Sequence, residues 1–193
     1  MDMLRGGASL GRKGLRVVYF FAGKARKGDI RAFFESACRE RSWDLHMLEI
    51  DLLRGGECHD LASATAQKKW VEELDQFDVV LCTPPCASFS RAPWANKFGP
   101  HPLRSAAYPL GFPWLSARDQ AKAMLHNSLI SFTFNVMKRV HHLQLVQDII
   151  GFVEHPEDLG RIKDAPPGAV PASIWRFAQV RELVEQGWWT GAF

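Results

Sequence analysis

Cys86 stands in TPPCASFS, Thr83 to Ser90, directly after the run Phe77-Asp78-Val79-Val80-Leu81-Cys82. Two prolines at a strand end stiffen the turn that follows, which predicts a thiol presented at a sheet edge rather than lost in the core. Such a thiol is a nucleophile once a cationic or polar neighbourhood raises its thiolate fraction, and Arg91 is near in sequence. Glu154, in Glu154-His155-Pro156 after another apolar run, is a carboxylate able to protonate or hydrogen-bond a ring nitrogen. After Phe21, the small residues Ala22 and Gly23 let a ligand approach the backbone, and the acids Glu49 and Asp51 suit a pair of hydroxyls. Asp60 is a further acceptor. Read singly, each has a plain alternative: a core cysteine, a surface acid, an ordinary strand–helix turn, a solvated acidic turn.

Position raises the combined weight, because every candidate falls at the carboxyl end of an expected strand, where ligands bind in open α/β sheets. Val17 to Phe21, Leu45 to Ile50, Asp78 to Cys82 and Ile149 to Glu154 read as strands, the first and third of them buried. Between them, Ile30, Phe33, Phe34, Ala37 and Cys38 recur with helical spacing, as do Ala66, Trp70 and Leu74. Ser116 with Asp119 forms a capping box for a long helix whose stripe is Leu125, Leu129, Phe132, Val136 and Val140. Pro171 opens a helix through Ile174, Phe177, Ala178 and Arg181 that Gly187 closes, and Trp188 to Phe193 looks like the start of a fifth strand. The alternation predicts an α/β fold with a mostly parallel sheet and helices on both faces. Seven of eleven prolines fall in residues 83–115, so a long functional loop with no core element is expected there.

At 193 residues and 47% hydrophobic, the chain can bury one good core and is no disordered protein. Residues 1–41 hold ten Lys/Arg and four Asp/Glu, a net +6, against 14 minus 17, or −3, for the rest. Residues 1–14 read as a flexible basic tail and 15–193 as one domain. The basic segment is compatible with phosphate contacts. Four cysteines without a CxxC pair indicate neither a zinc knuckle nor a disulfide framework, and seven histidines lack ligand spacing, so no metal is expected. No run approaches the roughly 20 apolar residues of a membrane span; the cysteine usage without a secretory signal makes a reducing compartment the default, and an intracellular protein, nuclear or cytoplasmic, is expected.

FAG at Phe21 to Gly23, EID at Glu49 to Asp51, DVVLCTPPCASFS at Asp78 to Ser90 and FVEHPEDLG at Phe152 to Gly160 resemble, in order and content, the DNA cytosine-5 methyltransferase family. The match spans about residues 16–160, and PPCxxFS is its most specific part. The resemblance implies a Rossmann-like methyltransferase fold using S-adenosylmethionine, with nucleic acid, DNA in that family, as partner. It implies that Cys86 adds to C6 of a flipped-out cytosine while Glu154 contacts N3, that loop 91–115 closes over the base, and that Phe21, Ala22, Gly23, Glu49, Asp60 and Pro84 line the donor site.

The family's glutamate is usually followed by asparagine and valine, where this chain has His155 and Pro156. No arginine-x-arginine motif or target-recognition region follows, which implies a C-terminally incomplete domain and a partner chain able to supply the rest. EHPEDLG with PASIW at Pro171 to Trp175 also resembles a divergent methyltransferase-like branch. Two further readings stand beside the enzyme: an inactive nucleic-acid-binding or regulatory module, and a thiol enzyme acting on a small molecule.

Overall fold

The structure, a computed structural model, describes residues 13–95, 99–162 and 169–192. The expected tail therefore lies outside the described residues as far as residue 12, and Gly14 already opens the first strand. The strands are β1 (Gly14–Phe20), β2 (Asp44–Ile50), β3 (Val79–Cys82) and β4 (Ile150–Val153). Helices α1 (Ile30–Glu40), α2 (Leu52–Gly55), α3 (Ala64–Glu72), α4 (Ala92–Ala95), α5 (Ala117–Leu143) and α6 (Ala178–Glu185) occupy the connections and the C-terminal region.

The sheet order is β2-β1-β3-β4, and β1 pairs in parallel with both β2 and β3. Parallel neighbours need long crossovers, which α1 and α3 supply. Phe20 is in register with both Ile50 and Cys82, so the chain leaves all three strands at one level of the carboxyl edge. From β1 the chain moves to one side for β2 and returns to the other for β3. The order thus reverses between β1 and β3, the switch point where open α/β sheets bind ligands. Asp78 fixes this register with a fork to Arg16, at 2.6 Å from Oδ1 to the terminal nitrogen and 2.8 Å from Oδ2 to the backbone N–H, while its carbonyl accepts the Ile150 N–H.

Two compact units divide the chain: residues 1–82 with 139–152, and residues 83–138 with 153–193. In the first, Val17, Val18, Phe20, Ile50, Leu74, Val80 and Cys82 are wholly buried. Each such side chain contributes about 2 kcal/mol of burial energy. The Trp70 ring meets Phe20 edge-on at 6.2 Å, so α3 anchors on β1. In the second, Phe89, Leu103, Phe132, Ile174 and Leu183 are buried.

Several expectations change. Of the expected α1 stripe only Phe34, Ala37 and Cys38 are covered, whereas Phe33 is 74% exposed, because no described residue covers that face. Leu125 is 42% exposed, and Ala123, His126 and Ile130 carry the buried face of α5 in its place. Ser116 caps α5 as expected: its oxygen accepts the Asp119 N–H at 3.2 Å and its hydroxyl donates to Asp119 Oδ2 at 2.6 Å. Pro171 precedes a single 3-10 turn at Ile174–Arg176 instead of opening a helix, and α6 starts at Ala178. Gly187, with φ of 95°, does close α6, but residues 188–192 form no strand. A strand exists only where a ladder partner satisfies its backbone.

The loop after β3 overturns its expectation most clearly. Leu103, Arg104 and Ser105 are buried, and the Arg104 guanidinium donates to the Pro109 carbonyl (2.8 Å), Asn127 Oδ1 (2.6 Å) and the Ala123 carbonyl (3.1 Å). The Asn127 amide donates to the Leu110 carbonyl. Gly111 allows the close approach: its φ is 128° and a Cβ there would lie 3.3 Å from that of Ala123. Prolines deprive the segment of ladder donors, but a buried arginine replaces them as the organiser.

Candidate functional site

Phe21 follows β1 in the left-handed region, with φ of 64°. A bulky side chain there is a true outlier and costs about 1–3 kcal/mol. The extended strand expected through Phe21 thus stops one residue earlier, and the turn is held by its partners. The Phe21 N–H donates to the Ile50 carbonyl at 2.9 Å. The Gly23 N–H donates to Asp51 Oδ2 at 2.9 Å, and the Gly23 carbonyl accepts from Arg54 Nε at 2.7 Å. Gly23 sits at φ of 63° with open space where a Cβ would be.

Arg54 is the hub of this end of the sheet. Besides Gly23 it reaches Glu49 Oε2 at 2.7 Å and Asp29 Oδ2 at 3.5 Å. Arg31 also donates to Glu49 Oε2 at 2.7 Å, so one carboxylate oxygen takes two arginines. Glu49 is buried and its other oxygen, Oε1, is buried without a partner. An unsatisfied buried carboxylate oxygen is costly, and a hydroxyl donor would relieve it. Neither arginine stood out in the sequence; the signal was the acid itself, since a buried carboxylate demands cations. Asp51 divides its oxygens between Gly23 and the Leu53 N–H that it caps. Asp60 caps a turn through the Ala62 N–H at 2.9 Å, and Ala22 is partly covered beside Gly23.

In the second unit, Cys86 is exposed and its carbonyl accepts the N–H groups of Phe89 and Ser90, both at 2.8 Å, in a tight helical turn. Pro84 is buried behind it. The turn is locked from three directions. Ser88 Oγ and His126 Nδ1 share a hydrogen bond of 2.7 Å, both residues buried. The Arg104 guanidinium lies 4.0 Å over the Phe89 ring. The opposite partner of Phe89 is His155, edge-on at 5.5 Å, with Phe177 at 6.1 Å. The segments carrying Cys86 and Glu154 therefore pack together through Phe89 and His155, although 66 residues separate those rings in sequence.

Glu154 itself is exposed, and its neighbour His155 is buried with neither ring nitrogen hydrogen-bonded. PASIW explains that placement: Trp175 donates its indole N–H to the Pro156 carbonyl at 2.9 Å and meets the His155 ring at 6.3 Å. Asp158 pairs with Arg176, the residue after Trp175. Arg91 gives its guanidinium to the Arg161 carbonyl at 3.3 Å. No hydrogen bond joins the Cys86 sulfur to His126 or His155 among the described residues. Cys82 is fully buried, which pushes its thiol far up and leaves it inert.

Burial also pushes His126 and His155 down to about 4, with Arg104 and Lys122 adding to the effect on His126. Both rings are neutral in the fold and protonate near pH 6.5 once unfolded. The unfolded chain binds the extra protons, so stability is full above pH 6.5 and falls as pH drops toward 4. The loss is at most about 3 kcal/mol per ring. Urea midpoints measured from pH 7.5 to 4 test this, and His155→Phe should flatten the curve while keeping the aromatic packing.

Among the described residues, no group of His, Cys, Asp and Glu is arranged to hold a metal ion, and no helix is long and apolar enough to cross a membrane. A surface depression lined by Glu35, Cys38, Arg39 and Asp44 lies where β2 begins, away from the strand ends that carry the candidate residues.

The fold is an α/β, Rossmann-like sheet of four strands with acids, glycine and a cysteine turn following their carboxyl ends. Searches with the chain find no matching family model, no matching curated protein and no matching solved structure.

Proposed function

We propose that this chain is a cytosine-5 methyltransferase-like domain that transfers a methyl group to C5 of cytosine in nucleic acid through a Cys86 adduct. One observation carries the reading: the Cys86 turn and the Glu154 segment, remote in sequence, pack together through Phe89 and His155. Addition to a pyrimidine needs a nucleophile and an acid on a stiff frame, and the packing of these two segments supports that reading.

S-adenosylmethionine fits the first unit. Glu49 Oε1 is the orphaned acceptor that a ribose hydroxyl would satisfy, and the Phe21–Gly23 turn offers backbone with no side chain on Gly23 in the way. Phe21, Ala22, Gly23 and Glu49 would hold the donor; Asp60 and Pro84 are proposed from the resemblance alone. The donor, when bound, supplies an electrophilic methyl group. Cys86 supplies the electrons: its thiolate forms the Sγ–C6 bond, and the C5=C6 pair moves to C5 as Glu154 shares a proton with N3. That pair forms the new C5–CH3 bond, and loss of the C5 proton then leaves the C5–H pair to rebuild C5=C6 as the Sγ–C6 pair departs with the thiolate. A cytosine inside a duplex must leave the stack to be reached.

Titration calorimetry with S-adenosylmethionine tests the donor half. Binding is expected to the folded chain, and Glu49→Gln should weaken it about 10-fold, the worth of one charge-assisted hydrogen bond. A folded sample without measurable donor binding would sink the enzyme. One observation favours the inactive module instead: Arg31 and Arg54 already occupy Glu49 Oε2. Nucleic-acid binding without donor binding would establish that alternative.

A further inference from the structure

Tyr108, Phe112 and Trp114 form a trio that the proposed reaction does not use. Phe112 and Trp114 stack at 5.0 Å and 12°, and Tyr108 meets them edge-on at 5.9 and 5.3 Å. Trp114 is 68% exposed and Tyr108 43%. Phe112 covers one face of the indole, so the other is the exposed one. Apolar groups shown to water in this way mark a binding surface.

The trio is also held rigid. It lies in the loop that Arg104 and Asn127 fasten through Pro109 and Leu110, and Phe112 donates its N–H to the Leu103 carbonyl at 2.9 Å. Charge then selects the occupant. Residues 83–138 contain six Lys/Arg and one Asp; Arg104 is buried and Lys138 pairs with Glu182, which leaves the cations at the start of α5 to meet a ligand. The lone acid, Asp119, is already engaged by Ser116 and His101, whereas Arg118 and Lys122, on the first turns of α5, are exposed. Leu110 and Met124 are exposed as well, yet an apolar protein partner gives no use to the cations at the start of α5.

We infer that this surface binds an unpaired nucleic-acid strand, one base stacking on Trp114 and the phosphates meeting Arg118 and Lys122. A single strand offers base faces that a duplex hides, and aromatic platforms set among cations are how such strands are held. The inference rests on nucleic acid being the partner and adds that the strand arrives unpaired at this surface.

The probe is a fluorescein-labelled 20-nucleotide oligo(dT), read by anisotropy on the full chain without methyl donor. It contains no cytosine, so the result is independent of Cys86 chemistry. Trp114→Ala is expected to weaken binding at least 10-fold, Trp114→Phe to retain most of it, and Arg118→Gln with Lys122→Gln to weaken it and lower its salt dependence. Binding within twofold of wild type for Trp114→Ala would overturn the inference. So would a 20-base-pair duplex bound as tightly and with the same sensitivity, or a chain dimer in sedimentation that Trp114→Ala dissociates without changing oligonucleotide affinity. Donor binding that fails while Trp114-dependent strand binding persists would count against the enzyme alone.

Discussion

Incubated with S-adenosylmethionine and an oligonucleotide carrying 5-fluorocytosine, the chain is expected to form a covalent complex that survives denaturing electrophoresis, and Cys86→Ser to form none. The thiolate adds at C6 and C5 is methylated, but fluorine cannot leave as a proton does, so the Sγ–C6 bond persists. A serine hydroxyl is a far weaker nucleophile at neutral pH, which makes the difference one between accumulation and absence. The substitution removes no hydrogen bond from the turn, because Phe89 and Ser90 donate to the backbone carbonyl of residue 86. Cys58, the other exposed cysteine, supplies the control: Cys58→Ser should trap as wild type does. A complex that Cys86→Ser leaves intact would remove Cys86 from the reaction. Running DNA and RNA oligonucleotides side by side identifies the strand chemistry.

β1 and β3 were legible because each is a short, nearly continuous apolar run that the fold buries, whereas Ile150 and Phe152 leave β4 half uncovered. Where the reading failed, a partner was missing from local pattern. Phe33 and Leu125 obey helical spacing, yet spacing gives a face and not what covers it. Trp188 to Phe193 has strand composition, and residues 188–192 find no ladder. Phe21 looked like the last residue of a strand; the hydrogen bonds that hold it at positive φ come from Ile50 and the neighbouring turn, far along the chain.

The candidate residues divide along the same line. Exposure of Cys86 followed from Pro84 and Pro85, since ring-stiffened turns are local chemistry. The frame around it was not legible. His126 lies 38 residues from Ser88, Trp175 lies 19 from Pro156, and no spacing rule links them. His155, where the family has asparagine, is buried between Phe89 and Trp175 as a packing residue, which nothing in its neighbours in sequence announces. A proline-rich stretch likewise reads as loop, and only the fold reveals that Arg104 turns it into core.

Replacing Arg104 should therefore be the most destabilising single change in the second unit. Burial pushes its guanidinium down to about 10, a desolvation cost of about 3 kcal/mol at neutral pH. Three charge-assisted hydrogen bonds return about 1.5–3 kcal/mol each, and the Phe89 ring adds about 2, so the favourable side wins. Arg104→Met keeps the length but removes three charge-assisted hydrogen bonds, one buried and two part-buried, and is expected to cost about 4 kcal/mol, a large part of the 5–15 kcal/mol that holds a typical domain. The urea midpoint should fall by about 2 M. Arg104→Lys keeps the charge but not the planar fork, so it should recover part of the loss. Because Phe89 is the ring that Arg104 covers, thiol labelling at Cys86 should lose its single rate in folded Arg104→Lys as the turn samples other positions. A midpoint unchanged in Arg104→Met would mean that the loop, and the cysteine turn with it, is held by something other than this arginine.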